Sequence, residues 1–144
     1  MYKKFNVAIE ALAYISLHSG ENAVSSKDIC TKLGLKLRYI EQIMQKLVRH
    51  GVLKGMRGAG GGYFINKDRR KISLAEIYNI ISEFETGESN VMANEFSVLA
   101  SEINEEIREE TLKILSKITL EEIYNRVKKI SKTNGKNPKT DFVI

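Results

Sequence analysis

The residues best suited to chemistry form a glycine-rich run that begins with Arg57 and ends at Tyr63. Glycines allow the backbone to approach another molecule closely, and an arginine beside them suits the narrow, electronegative minor groove of DNA. A phosphate-binding P-loop would need Gly-Lys-Ser/Thr at the start of a helix, and a dinucleotide fingerprint also needs a helix, whereas a strand pattern follows here. We therefore interpret the run as a β-hairpin tip with Gly58 and Gly60 beside Arg57. A plain hairpin turn remains the alternative.

A second set of polar side chains lies on a predicted helix over residues 39–50. Its apolar residues recur at the i, i+3, i+4, i+7 spacing of one buried face. The opposite face mixes basic, amide, acidic and phenolic groups, which together can pair with base edges and phosphates. A solvated surface is the simpler reading, but the mixture favours contact with double-stranded DNA. The candidate contact residues on or just before this helix are Lys36, Arg38, Tyr39, Glu41 and Gln42.

The elements that must position these groups follow from local signals. Helical periodicity covers residues 2–19, and Ser25 with Ser26 offers an N-cap for a short second helix. Gly34 supplies a tight helix–helix corner, and strand patterns flank the glycine run. A capping box at Ser73 opens a fourth helix. This order predicts a mainly α fold with a small β-hairpin, a winged helix-turn-helix over residues 1–84.

The second half predicts a different kind of element. After a linker at residues 85–90, apolar residues recur every three or four positions along a helix of more than 20 residues whose other faces are rich in glutamate. Packing within the same chain is possible, but the length favours a dimer seam. We expect dimerisation helices over residues 91–131, the last opened by a capping box at Thr119, and a flexible tail over 132–144. The predicted dimerisation residues are Phe96, Leu99, Ile103, Ile107 and Ile114.

Charge separates the two halves and limits the function classes. Residues 1–75 contain 14 basic and 5 acidic residues, and residues 76–144 contain 9 basic and 13 acidic ones. The basic half suggests a polyanionic partner. A single cysteine, Cys30, excludes a disulfide within the chain and any site built from several thiolates. We expect no metal, no cofactor, no membrane span and no enzyme active site, and a cytoplasmic location.

Four segments, residues 36–43, 51–54, 57–63 and 72–77, together resemble the Rrf2 family of bacterial winged-helix regulators. The resemblance extends over about residues 2–131. It implies a homodimer that binds a near-palindromic operator, with long helices crossing at the dimer interface. Positions that match the family's DNA contacts are Ser25, Ser26, Lys36, Arg38, Tyr39, Glu41, Gln42, Arg57, Gly58 and Gly60.

The chain departs from the family at the positions of an iron–sulfur cluster. Several members hold the cluster with three cysteines before and at the start of the long helix, but residues 84–104 contain none, and Val98 occupies the last of these positions. The resemblance therefore implies a cluster-free regulator, a homodimeric repressor controlled by a regulatory protein or a small-molecule effector. The alternative function is a winged-helix protein-interaction module that acts through a partner protein.

Overall fold

A computed structural model describes residues 2–83 and 92–136. The predicted linker at residues 85–90 and the last part of the predicted tail lie outside the described residues. The chain folds into six helices and one antiparallel hairpin within these ranges. In chain order the elements are α1 Tyr2–His18, α2 Ser26–Leu33, α3 Leu37–Arg49, β1 Leu53–Met56, β2 Gly62–Ile65, α4 Leu74–Ser82, α5 Glu95–Leu115 and α6 Leu120–Lys136, with a 3-10 turn at Arg69–Lys71.

Helices α2 and α3 form the helix-turn-helix because caps define where each begins and ends. The Ser25 hydroxyl accepts a hydrogen bond from the Asp28 backbone N–H at 3.1 Å, as the N-cap pattern predicts. Gly34 has φ 66°, a left-handed conformation that a residue with a side chain rarely adopts, and it turns the chain toward α3. Both predicted signals are confirmed.

The wing is the hairpin of β1 and β2, in which Leu53 pairs with Ile65 and Met56 with Gly62. The sequence pattern indicates strands over residues 52–55 and 63–66, and β1 and β2 are each displaced from these by one residue. The C-cap of α3 is His50, and Gly51 follows it with φ 77°. These shifts are of the size expected at element ends, which local patterns define poorly.

The core lies among α1, α2, α3 and α4, which together with the wing we call the winged-helix body. Its largest fully buried side chains come from all four helices. Residues Leu12, Ile29, Ile40 and Ile77 are examples with no exposed surface. Each lies on the apolar face that its helical spacing predicts.

Helices α5 and α6 follow the body in the chain, and the segment between them contacts the body again. The chain re-enters at an isolated β-bridge between Ser73 and Thr119, where the Leu74 N–H donates to the Ile118 carbonyl at 2.9 Å and the Leu120 N–H donates to the Ile72 carbonyl at 2.8 Å. Helix α6 then packs on α1. It extends to Lys136, beyond the end at residue 131 that the sequence predicts for the dimerisation helices.

Candidate nucleic-acid interface

The first turns of α3 present the predicted contact residues on the face opposite the core. Ile40, Ile43, Met44 and Leu47 are buried, which fixes the orientation of the helix. Residues Lys36, Arg38 and Gln42 are exposed, and Tyr39 and Glu41 are half-buried. Three of the five predicted α3 groups therefore lie freely on one surface, and the other two lie at its edges.

Tyr39 and Glu41 flank this surface on opposite sides, and each has a neighbour in the protein. The ring of Tyr39 packs against the core, and burial raises the pKa of its hydroxyl, so the group remains a neutral donor. Glu41 lies toward α2. Burial and then the charge of Glu41 raise the pKa of the Cys30 thiol. A thiol with a raised pKa is a poor nucleophile, which agrees with Cys30 as a small packing residue.

The predicted contacts at the start of α2 are already used inside the protein. The Ser25 hydroxyl caps α2, and the Ser26 hydroxyl donates to the Tyr63 hydroxyl across a distance of 3.4 Å. The Ser26 contact ties the first turn of α2 to the wing. The exposed side chain of Lys27 follows directly and adds positive charge to the same helix end.

The wing is also tied to the loop before α2 through backbone hydrogen bonds. The Val24 N–H donates to the Tyr63 carbonyl at 3.0 Å, and the Tyr63 N–H donates to the Val24 carbonyl at 2.8 Å. A Cβ atom on Gly62 would lie 2.2 Å from the Val24 carbonyl oxygen, and its φ is 151°. The glycine at position 62 is thus required by the fold itself. The sequence interpretation assigned Gly58 and Gly60 to contact with DNA and gave Gly62 no separate role.

The hairpin tip remains open around the predicted arginine. Arg57, Gly58 and Gly60 are all exposed. A cavity of about 420 Å³ lies between the tip and the end of α3, lined by Ser26, Val48 and Arg57 among others. The guanidinium therefore lies on a free edge of the wing. The structure brings α3, the start of α2 and the wing tip together.

One exposed side chain on this surface was missed from the sequence. Leu37 is the first residue of α3 and is 47% exposed. Its spacing of three residues from Ile40 and seven from Met44 matches the buried face, so periodicity alone predicts burial. Leu37 remains exposed because it lies in the first turn of α3, and no local signal indicates this.

The predicted dimerisation residues are all exposed on α5, which is 21 residues long and has no buried residue. Its contacts with the body are near its C-terminal end, where Leu112 and Leu115 pack against the core. The Arg108 guanidinium also donates to the Asn79 amide oxygen on α4 at 2.6 Å. The exposed fractions of the stripe are Phe96 75%, Leu99 55%, Ile103 48%, Ile107 52% and Ile114 63%.

Two further properties concern metals and membranes. Among residues 2–83 and 92–136, no group of three or more histidine, cysteine or acidic side chains is arranged to hold a metal ion. No helix in the described part of the chain is both long and apolar enough to cross a lipid bilayer.

Comparison with known proteins connects this architecture to a family. The Rrf2 family model, described as an iron-dependent transcriptional regulator, matches residues 1–126. The HTH-type transcriptional regulator IscR of Xenorhabdus nematophila is 35% identical over 80 residues, which are 56% of this chain and 49% of that protein. IscR of Photorhabdus laumondii is 36% identical over the same shares. The chain thus spans about half the length of the curated relatives it matches.

Solved structures share the fold over most of the chain. CymR of B. subtilis, titled the global cysteine regulator, has a TM-score of 0.66 and 25% identity over 88% of this chain and 96% of its own. IscR of T. potens has a TM-score of 0.65 and 26% identity over 86% and 85% of the two chains. The relatives are transcriptional regulators rather than enzymes. Since the family model covers most of its length, this chain belongs to the Rrf2 family of winged-helix transcriptional regulators.

Proposed function

We propose that the protein is a sequence-specific regulator of transcription that binds double-stranded DNA as a homodimer in the cytoplasm, acts as a repressor and holds no iron–sulfur cluster. The observation that carries the proposal is the shared surface of α3 and the wing. Lys36, Arg38 and Gln42 are exposed on α3, and Arg57 is exposed at the hairpin tip. This arrangement suits a helix in the major groove with the wing beside it.

The unpaired apolar face of α5 supports the homodimer. Five large apolar side chains on one stripe are each about half exposed or more. An exposed apolar stripe of this length marks a protein–protein contact. A second copy of the same helix offers a matching stripe and gives the twofold symmetry that a near-palindromic DNA site requires.

The donor groups of this chain do not fit the iron implied by the family description. A cluster needs several soft thiolates, whereas the chain has one cysteine. That cysteine, Cys30, lies on α2 and its pKa is raised by burial. Protein purified without oxygen is expected to contain no stoichiometric iron and to bind DNA equally with and without a chelator. Loss of binding on chelation would contradict the cluster-free assignment.

The first test of the function is selection of bound sequences from a random duplex library with the full chain. The expected product is one near-palindrome whose half-sites lie about 10 base pairs apart. Binding should weaken steeply with salt, because released counterions supply much of the free energy. Arg57→Ala should reduce the slope of log affinity against log salt by about one per protomer if Arg57 contacts a phosphate.

Glu41 provides a specificity test of the same surface. A carboxylate at the edge of α3 can accept a hydrogen bond from a cytosine amino group. Glu41→Ala is therefore expected to change the preferred base at one position by about 1–3 kcal/mol while overall affinity changes less. If Glu41→Ala leaves the relative affinities for operator variants unchanged, Glu41 does not contact a base.

The protein-interaction module remains the second candidate because α5 presents so much apolar surface. Enrichment of no sequence from the library would favour that function and contradict the first. A selected motif placed beside a promoter then distinguishes repression from activation in a purified transcription assay. A regulatory protein or small-molecule effector would be identified by its effect on binding to that motif.

A further inference from the structure

The large apolar side chains that remain exposed in the winged-helix body are adjacent in sequence to predicted DNA-contact residues. Within residues 2–83, the large hydrophobic side chains that remain exposed are Leu37 at 47% and Met56 at 51%. Leu37 begins α3, and Met56 directly precedes Arg57 at the end of β1. Isolated exposed leucines are common on protein surfaces. Here each example lies beside a basic residue that is predicted to contact DNA: Leu37 beside Lys36 and Arg38, and Met56 beside Arg57.

Leu37 lies in the first turn of α3 and stays largely exposed. Its neighbours Leu35 and Tyr39 pack against the core, whereas Leu37 is 47% exposed. It lies between the exposed side chains of Lys36 and Arg38. Side chains on a helix tilt toward its N-terminus, so Leu37 projects from the end of the helix that would enter the groove. The N-terminal residues of a recognition helix are the ones that contact base edges.

We propose that Leu37 contacts the C5-methyl group of a thymine in the major groove and thereby sets a base preference in each half-site. The proposal rests on the proposed function and names one determinant of its specificity. The methyl group is the apolar feature that distinguishes thymine on the major-groove edge, and apolar groups of the protein contact it. Lys36 and Arg38 would hold the backbone position while Leu37 excludes water from the methyl group.

The test removes the methyl group and the leucine separately and then together. The selected operator is made with deoxyuridine in place of each thymine in turn, placed symmetrically in both half-sites. Uracil keeps every hydrogen-bonding group of thymine and lacks the methyl. For the wild-type protein we expect one position at which the substitution weakens binding by about fourfold per half-site, the factor for one buried carbon group at about 0.8 kcal/mol.

Leu37→Ala should bind the thymine operator more weakly and lose the difference between thymine and uracil at that position. Leu37→Met keeps a long apolar side chain and should restore part of the difference. Gly20→Ala changes an exposed residue before α2 with nothing within 4 Å of the added Cβ, and it should preserve the full difference. Because Leu37 is exposed, circular dichroism and unfolding midpoints of its variants should match the wild type.

The outcomes separate this inference from the function on which it rests. A motif with no uracil-sensitive thymine, or one whose sensitivity persists in Leu37→Ala, overturns the role of Leu37 while DNA binding stands. Absence of any selected motif overturns the proposed function and the inference with it. A uracil effect that disappears in Leu37→Ala and returns in Leu37→Met supports the contact.

Discussion

The winged-helix body and helix α5 differ in whether their large apolar side chains are buried within the chain. The body buries its large apolar side chains inside one chain, from Phe5 in α1 to Ile81 in α4. Helix α5 buries none of its residues and keeps a stripe from Phe96 to Ile114 in contact with solvent. The difference indicates that the body is folded by its own contacts. The stripe on α5 is expected to be covered by a second molecule.

The energetics of the two regions should therefore depend differently on protein concentration. Burying one large aliphatic or aromatic side chain contributes about 1.5–3 kcal/mol to the stability of the dimer. A symmetric dimer buries two copies of each stripe residue, one from each protomer. That free energy is gained only on association. Unfolding of the body should respond to core substitutions at any concentration, and assembly should respond to substitutions on α5.

The largest effect is expected for Ile103→Asp, which places a charge in the middle of the stripe. Burying an unpaired carboxylate costs about 3 kcal/mol or more, and the dimer would contain two copies. We expect a monomer at concentrations where the wild type is a dimer, measured by sedimentation velocity. Asn22→Asp introduces the same charge at an exposed position in the loop before α2 and should leave the dimer intact. A dimer that survives Ile103→Asp would end the assignment of this stripe as the interface.

Leu47→Ala tests the other side of the comparison, since Leu47 on α3 has no exposed surface. The substitution should lower the free energy of unfolding by about 2–5 kcal/mol because it removes core contacts and leaves a cavity. Urea unfolding of the monomeric Ile103→Asp background should give the same loss at every protein concentration. A loss that depended on concentration would mean that the body itself folds only as a dimer. Glu10→Ala, at an exposed position on α1, serves as the control.

Gly62→Ala tests whether the wing belongs to the body. The new Cβ would lie 2.2 Å from the Val24 carbonyl oxygen, so the backbone pair between Val24 and Tyr63 must separate. We expect about 1–3 kcal/mol of destabilisation, measured by thermal unfolding, together with weaker DNA binding. At Gly20 nothing lies within 4 Å of an added Cβ, so Gly20→Ala is the matched control. Equal stability of Gly62→Ala and Gly20→Ala would show that the backbone pair between Val24 and Tyr63 does not stabilise the fold.

The smallest effect concerns an exposed ion pair between α3 and the end of α4. The Glu83 carboxylate accepts one hydrogen bond from the Lys46 ammonium at 2.9 Å. The same carboxylate oxygen lies 3.1 Å from the Nε2 atom of His50. These contacts, with Lys46 first, lower the pKa of the Glu83 carboxyl. A lowered folded-state pKa adds stability above the unfolded value of about 4.3, and this stability is lost as the pH falls through the folded value.

Glu83→Gln should therefore flatten the dependence of stability on pH below about pH 4.3, and only slightly, since the pair is exposed to solvent. Unfolding midpoints across an acid series provide the measurement. The difference between variant and wild type should shrink in high salt because screening weakens exposed pairs. Identical acid profiles in low salt would mean that the pair does not couple α3 to α4.

Short-range signals were enough to predict most of the fold. The N-caps at Ser25, Ser73 and Thr119 each accept the backbone hydrogen bond that their sequence patterns indicate. The buried face of α3 follows from spacing alone, and a long helix was predicted where α5 runs for 21 residues. These features are local because a cap or an amphipathic turn involves residues only a few positions apart.

The features that the sequence did not predict join distant segments. The pairing of Val24 with Tyr63, which explains Gly62, leaves no signal in either segment alone. The same holds for the contact of Lys46 with Glu83. Within the candidate interface, the exposed groups of α3 could be chosen from the pattern, whereas the internal roles of Ser25 and Ser26 required tertiary contacts. The contacts with DNA and the dimer seam stay predictions.

The return of the chain at Thr119 has a consequence for how such regulators diverge. Two main-chain hydrogen bonds, beside Ser73 and Thr119, hold the point where α5 rejoins the body. Backbone groups make these bonds whatever side chains α5 carries. The stripe on α5 can therefore change its shape and charge without disturbing the proposed DNA-reading surface. A cell with several related regulators could keep their subunits from mixing through substitutions on this helix alone.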